Sequence, residues 1–563
     1  MKTDRRTFLL GGVPAGLSSA AVKAWKPTGF QGLLNAAFDT ARPRTVALPS
    51  PQQIAWQNME VGMFVHFAPN TWQDVESDNL STPLSAINPV KLDTDQWAQT
   101  AIALGAKYIV FVAKHQGGFC MWQTQTTDYS IRNTPWKSGH GDVLADISAS
   151  CRKFGLKLGV YVCPRDDHFG AKTGGVCKTP ELQARYDAMY REQLKEVFSG
   201  YGELVEIWFD GSTITPVGDL IRQYQPQAMI FQGPQATIRW VGNENGFAPY
   251  PCWNGIDRAD AETGTATALN SDPNGDVWMP SEVDVSIRRP DWFWSTTNED
   301  KVLTKEQLLS IYYRSVGRGA QLLLNIPANR NGLLADKDSA VAKEFGLEIQ
   351  RRFGKPLAET SGSGRTLSLR LDKPTRIDTV ILREEIAKGE RVRDYRLEGR
   401  ANGAWQMLGS GSAIGHKRIQ PVESITIDEV RLVVTSDTAL PAIRTLAIFD
   451  TAVAPPADWN APSELWAANL AGDWNDHRFS LDLTPKIDAA AQYRLHFVPK
   501  NGRVTAIRDV VLKLHGVNES RFVKSIKDKP ADLILDITGV AETVEISGSV
   551  EGADSGQILL QKL

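Results

Sequence analysis

Cysteine is scarce: Cys120, Cys151, Cys163, Cys177 and Cys252 are the only five in 563 residues, odd in number and irregularly spaced. That excludes a disulfide framework and a zinc site of regular Cys spacing, though one bridge stays open. An excess of one charge is missing too. Lys and Arg number 62 against 65 for Asp and Glu, interspersed along the chain, for a net charge of −3. No footprint for nucleic acid or an anionic membrane follows from that balance. Beyond the N-terminus no run of 18 consecutive apolar residues occurs, so no transmembrane segment is expected and the mature chain should be soluble. Tryptophan, by contrast, is plentiful at 16. Flat indole faces stack on sugar rings, and they also fill cores.

The N-terminus carries Asp4-Arg5-Arg6-Thr7-Phe8-Leu9-Leu10 and then a weakly apolar, Gly/Ala/Ser-rich run to Val22. This is the pattern of a twin-arginine export signal, so residues 1–24 are expected to be removed and the protein to be periplasmic or secreted. Residues 25–50 read as a linker. A chain of this length exceeds one hydrophobic core, and a barrel plus two smaller modules fits it.

From Trp56 to about Phe353, short apolar runs at 61–67, 107–113, 157–162, 204–209, 228–232 and 321–326 alternate with stretches of helical spacing at 93–104, 143–154 and 181–198. Buried strands alternating with helices predict a parallel sheet. Repeats of this length over residues 51–355 favour a closed (β/α)8-like barrel. An open nucleotide-binding sheet would want a Gly-rich turn after its first strand, and Phe67-Ala68-Pro69-Asn70 is not one. After Pro356 the pattern alternates with period two, which predicts an all-β sandwich over 356–452, a linker at Val453–Ala457 and a small second β-sandwich over 457–563.

In a β/α barrel the chemistry sits where strands end. The polar residues at those ends are His66; Lys114 and His115; Tyr161, with Arg165, Asp166 and His168 beyond it; and Asp210 in Ile207-Trp-Phe-Asp-Gly211. Glu282 opens Glu282-Val-Asp-Val-Ser286, a candidate sixth strand. Each has a plainer role available: a strand-end His is commonly a hydrogen-bonded structural residue, and Asp before Gly commonly caps a helix or turn. Four in succession on one rim are harder to explain that way. Two carboxyl groups among His and aromatic side chains suit glycoside hydrolysis, one attacking the anomeric carbon and the other moving the proton. Metal hydrolysis would want ligand spacing such as His-x-x-x-His, and none occurs.

Val61-Gly-Met-Phe-Val-His-Phe67, Ala113-Lys-His-Gln-Gly-Gly-Phe-Cys-Met-Trp122, Ile207-Trp-Phe-Asp-Gly211 and Gly317–Pro327 together resemble the α-L-fucosidases of glycoside hydrolase family 29. Arg239-Trp-Val-Gly-Asn-Glu244, Pro280–Arg288 and Trp292-Phe-Trp294 look like its α-1,3/1,4-selective subgroup. The resemblance implies a retaining exo-α-L-fucosidase acting on terminal fucose of a glycan. Asp210 would be the nucleophile and Glu282 the acid/base, with Asp284 and Glu244 as fallbacks. His66, His115, Gln116, Tyr161, Trp208, Trp240 and Trp294 would line the sugar pocket, the histidines donating to hydroxyls. No metal or organic cofactor is implied. The chain departs from the family at Gln116 and Gly117, where a His and an acid are usual, and at Arg165 and Asp167. Another L-sugar such as L-galactose, or a glycan-binding protein without turnover, therefore stays open. Residues 380–417 resemble a discoidin-type module, in which Trp405 is a core or a platform residue, and Trp459, Trp466 and Trp474 are further possible glycan contacts.

Overall fold

The computed structural model describes residues 46–460 and 470–562, apart from 485–490, 500–503, 505, 516–523, 526–531, 538–542 and 554. The expected signal, most of the linker and Trp466 lie outside the described residues. Eight parallel strands make one sheet: β1 (Val61–Val65), β2 (Tyr108–Lys114), β3 (Lys157–Val162), β4 (Leu204–Trp208), β5 (Met229–Phe231), β6 (Arg239–Trp240), β7 (Ser281–Ser286) and β8 (Gln321–Asn325). Their order is 5-4-3-2-1-8-7-6. A single parallel bridge between Phe231 and Ile238 joins β5 to β6, so the sheet nearly closes into a barrel. The strand of Glu282 is the seventh, not the sixth. The sixth has two residues, too few to show any period.

Helices return the chain between strands, and their ends follow local chemistry. The Asp93 and Asp142 side chains accept backbone N–H groups at the starts of helices Thr94–Leu104 and Val143–Phe154, and Gly105 and Gly155 end them in the left-handed conformation. Thr179 caps Pro180–Gly200, with proline in the first turn, where its missing N–H costs nothing. Strand residues then sort by parity. Met63, Ile109, Val160, Ile207 and Leu322 join the large outer core beneath the helices, while Phe64, Val110, Tyr161, Trp208 and Leu323 fill the barrel interior. A register shift between Val112 and Lys114 interrupts that alternation near the end of β2. The extra residue turns Ala113 and Lys114 outward and brings His115 to the inner face.

After the barrel come six antiparallel strands, β9 (Ala358–Ser363), β10 (Thr366–Glu384), β11 (Val392–Ala401), β12 (Ala404–Gly411), β13 (Arg418–Asp437) and β14 (Ala442–Phe449). They are hydrogen-bonded as one continuous sheet, in the order 9-14-10-13-11-12. The expected pattern of short strands merges into two long ones, β10 and β13, interrupted by register shifts. Trp405 is half-buried on β12 with the Arg431 guanidinium 3.9 Å from its ring centre. The chain ends in a five-stranded and a three-stranded antiparallel sheet that enclose a separate core containing Trp474.

The six-stranded sheet packs on the base of the barrel. Ile381, Ile419, Ala447 and Phe449 belong to the same apolar cluster as the barrel helices. Glu60, immediately before β1, meets Lys417 at 2.7 Å and Arg383 at 2.6 Å. Burial works against ionising Glu60, yet the Lys417 and Arg383 charges outweigh it and hold its carboxyl well below the usual range. His416 joins Asn58, and Glu390 accepts from both the backbone and the side chain of Asn254. The five cysteines are all unpaired. No helix among the described residues is long and apolar enough to cross a membrane.

Candidate active site

At the C-terminal end of the barrel, side chains from most of the strands and the loops above them converge. Asp210 stands two residues beyond β4. Its turn is pinned by Gln232, whose side-chain oxygen accepts the Gly211 and Ser212 backbone N–H groups at 2.7 and 3.3 Å. Tyr161 donates its hydroxyl to Asp210 Oδ2 at 2.8 Å, and Gln116 donates its amide to the same oxygen at 3.1 Å. Asp210 is half-buried, so the carboxylate is held by protein on one side and open on the other.

His66 is buried, with ring contacts to His115 at 5.7 Å, Trp292 at 5.1 Å and Phe293 at 5.2 Å. Its Nδ1 lies 2.8 Å from Asn325 Oδ1, which also accepts the His66 backbone N–H. The other end of that amide donates to Ser286 Oγ and Trp292 O, so Oδ1 is fixed as the acceptor. Nδ1 therefore carries the proton and Nε2 is bare. Burial, with the neighbouring His115 adding to it, pushes His66 down to about 3, so the ring is neutral near neutral pH. The sequence reading expected this histidine to donate to a sugar hydroxyl; in this tautomer Nε2 would offer an acceptor instead. His115 stacks on Tyr161, ring centres 5.6 Å apart.

Trp208 lies against Phe231 in the barrel interior, ring centres 3.5 Å apart, with its indole N–H on Glu206 Oε1. Trp240 donates to Asp284 Oδ1 at 2.5 Å. Asp284 is 5% exposed. Burial, then the charge of Glu244 and, more weakly, that of Asp210, push its carboxyl well above the ordinary range. Glu244 itself is exposed on the loop after β6. Asp284 thus lies within electrostatic reach of two other carboxyl groups at the mouth.

Glu282 is not among them. It is the second residue of β7, paired in register with Gln321 at the start of β8, and is fully buried in the barrel interior. Tyr108, the first residue of β2, donates to Glu282 Oε2 at 3.2 Å. Glu206, which also accepts the Trp56 indole at 2.7 Å, lies alongside. Burial, with the Glu206 charge next, drives Glu282 well above the carboxylate range, and burial raises Glu206 as well. Asp284 sits on the same inner face, one pleat or about 7 Å nearer the mouth. Trp294 packs beside Arg330, 5.9 Å from ring to guanidinium, whereas Trp292 and Phe293 take the places against the histidines.

Two departures in the sequence find their setting here. A Cβ on Gly117 would lie 2.2 Å from Asp78 Oδ2. Asp78, from another loop, fills the space a side chain at 117 would take, and it accepts the Tyr129 hydroxyl at 2.6 Å. Lys114 turns away from the pocket onto Asp166 at 2.9 Å, both buried, and His168 stacks on Tyr129. Asn325, Trp292 and Phe293 were missed by sequence reasoning. Asn325 could have been found, as the polar residue ending Leu322-Leu-Leu-Asn325.

Comparison with known proteins agrees with this arrangement. The α-L-fucosidase family model matches residues 71–351. Alpha-L-fucosidase 1 of Arabidopsis thaliana is 34% identical over 421 residues, 66% of this chain and 81% of the plant protein. A glycoside hydrolase 29 family member from an unknown rumen bacterium superposes with a TM-score of 0.67 at 28% identity, covering 92% of this chain and 100% of that one. A family 29 fucosidase of Ruminococcus gnavus, solved in complex with fucose, gives a TM-score of 0.64 at 27% identity over 73% of this chain and 96% of its own. A parallel barrel, a carboxylate cluster at its mouth and homology over most of the plant relative lead to one assignment: the chain belongs to the α-L-fucosidase family, glycoside hydrolase family 29, and is a glycoside hydrolase.

Proposed function

We propose that this fucosidase retains anomeric configuration, with Asp210 as nucleophile and Glu244 as acid/base, and that it releases terminal L-fucose from α-1,3/1,4-linked branches of glycans. The observation that carries the reading is the asymmetric hold on Asp210. Both side-chain donors converge on Oδ2, and among the described residues Oδ1 has no donor. Oδ1 attacks the anomeric carbon as the glycosidic C–O bond breaks, and the departing oxygen takes the acid/base proton. Water then attacks the glycosyl ester, giving its proton back to that carboxylate and freeing Asp210.

Glu244 suits the acid/base role because a leaving group departs through the mouth, where Glu244 is exposed. Asp284 lies beneath it, tied to the Trp240 indole. The discoidin-like stretch favours bracing over glycan capture: Glu390, His416 and Lys417 are committed to Asn254, Asn58 and Glu60.

The test is hydrolysis of α-1,2, α-1,3 and α-1,4 fucosyl oligosaccharides, with NMR of the first anomer released. Retention on the branched sugars and loss of at least about 10³-fold in Asp210→Ala are expected. Azide should rescue Glu244→Ala as a fucosyl azide; rescue of Asp284→Ala instead would move the acid/base to Asp284. First release of the inverted anomer would sink the double-displacement reading.

A further inference from the structure

We infer that Arg165 is a positioning residue for the nucleophile, acting through the amide of Gln116; this rests on the reading of Asp210 as nucleophile. Arg165 donates from one terminal nitrogen to Gln116 Oε1 at 3.2 Å. A guanidinium has donors only. The amide end facing it must therefore be the oxygen, which leaves the NH2 group to face Asp210 Oδ2 at 3.1 Å. The acceptor-only Asp210 carboxylate favours the same orientation, and the guanidinium enforces it from the other end of the amide. A flip would set an oxygen against the Asp210 carboxylate, replacing a donor by a like partial charge.

The guanidinium is itself held in place. Its Nε donates to Asp167 Oδ1 at 3.0 Å and its other terminal nitrogen meets Asp167 Oδ2 at 2.7 Å, a two-point fork that fixes the plane. The two loops are also joined through their backbones. Asp167 N–H donates to Gln116 O at 2.9 Å, and His168 N–H donates to Gly117 O at 3.1 Å. The result is a chain of contacts, Asp167 to Arg165 to Gln116 to Asp210, in which each link settles the orientation of the next. Tyr161 adds its hydroxyl to the same Asp210 oxygen from β3. Gln116 carries no titrating proton, so the donor it offers Asp210 does not change with pH, provided the amide stays the right way round. Arg165 reinforces that condition by holding the oxygen end. Its side chain is 33% exposed, and its partners are Asp167 and Gln116 rather than Asp210 itself.

The experiment uses the full-length enzyme and an aryl α-L-fucoside with a good leaving group, comparing Arg165→Met, Arg165→Lys, Gln116→Met and the double Arg165→Met/Gln116→Met variant, with Asp210→Ala as control. Expected for Arg165→Met is a fall in kcat of about 10- to 100-fold, below the 10²–10³-fold of losing a direct donor, with KM changed by less than about threefold. Arg165→Lys, which keeps a charged donor group but not the planar fork, should recover part of the loss. The double variant should match Gln116→Met alone, because Arg165 acts only through the amide. Unchanged kcat in Arg165→Met overturns the inference, and so do losses that multiply in the double variant. Should Arg165→Met fail to fold, the same cycle with Arg165→Lys decides. If Asp210→Ala stays active, the nucleophile reading has failed instead, and the two failures are told apart.

Discussion

Glu282 and Asp284 differ by one pleat, and that separation decides their chemistry. Glu282 faces Tyr108 and Glu206 where the strands begin, while Asp284 faces Trp240 where they end. Since Glu282 is already protonated in its setting, an amide replaces it at little cost. Glu282→Gln should keep kcat within about threefold of wild type, where loss of an acid/base would cost 10²–10⁴-fold. Steady-state kinetics on an unactivated fucosyl oligosaccharide, with its poor leaving group, checks this. A collapse of kcat would return Glu282 to the catalytic pair. The sequence reading took Glu282 as acid/base from the family resemblance, with Asp284 and Glu244 as fallbacks, whereas the rule that chemistry sits at strand ends points further along the same run. The positions of His66, Tyr161 and Asp210, at or just beyond the ends of strands with a clear period, were legible. The tautomer of His66 was not, because it depends on Asn325, which lies across the barrel on β8.

Among elements, those with capped ends were the most legible. The helix over 143–154 and the strand over 157–162 fall where the spacing predicts them. The two-residue β6 did not, because no period exists in two residues, and the bulge in β2 did not, because a register shift leaves no mark on composition. The two long β-strands after the barrel were read as fragments, since bends interrupt their alternation. The turn immediately before β1 carries a charged contact between barrel and sheet. Glu60 there faces Lys417 and Arg383. Replacing Glu60 by Gln leaves Lys417 buried without a counter-charge and should cost about 3 kcal/mol or more. Urea unfolding of Glu60→Gln against wild type measures it, and a difference under about 0.5 kcal/mol would remove this contact from the account.

At the scale of the molecule, buried histidines set the response to acid. His66 and His416 are each pushed down to about 3, in both cases chiefly by burial. An unfolded histidine takes its proton near 6.5. Their stabilising contribution is therefore complete above about pH 6.5 and is lost as pH falls towards 3, at about 1.4 kcal/mol per pH unit for each ring. Glu390 works the other way: burial, helped by Glu384, raises it to about 7, so its contribution is present below about pH 4.5 and fades as pH climbs through 7. Denaturant midpoints at pH 7.5, 6, 5 and 4 should fall steeply on the acid side, and less steeply in His416→Gln. Equal slopes for the two proteins would contradict the neutral, buried state of His416.

The six-stranded sheet grips the base of the barrel, and the carboxylates gather at the opposite end. An enzyme tethered through that sheet, to a bead or to a wall polymer, keeps its mouth turned outward. Immobilisation by that face should leave long glycans as accessible to Asp210 as they are to the enzyme in solution, whereas a graft on the loops after β4 or β6 would stand in the substrate's way.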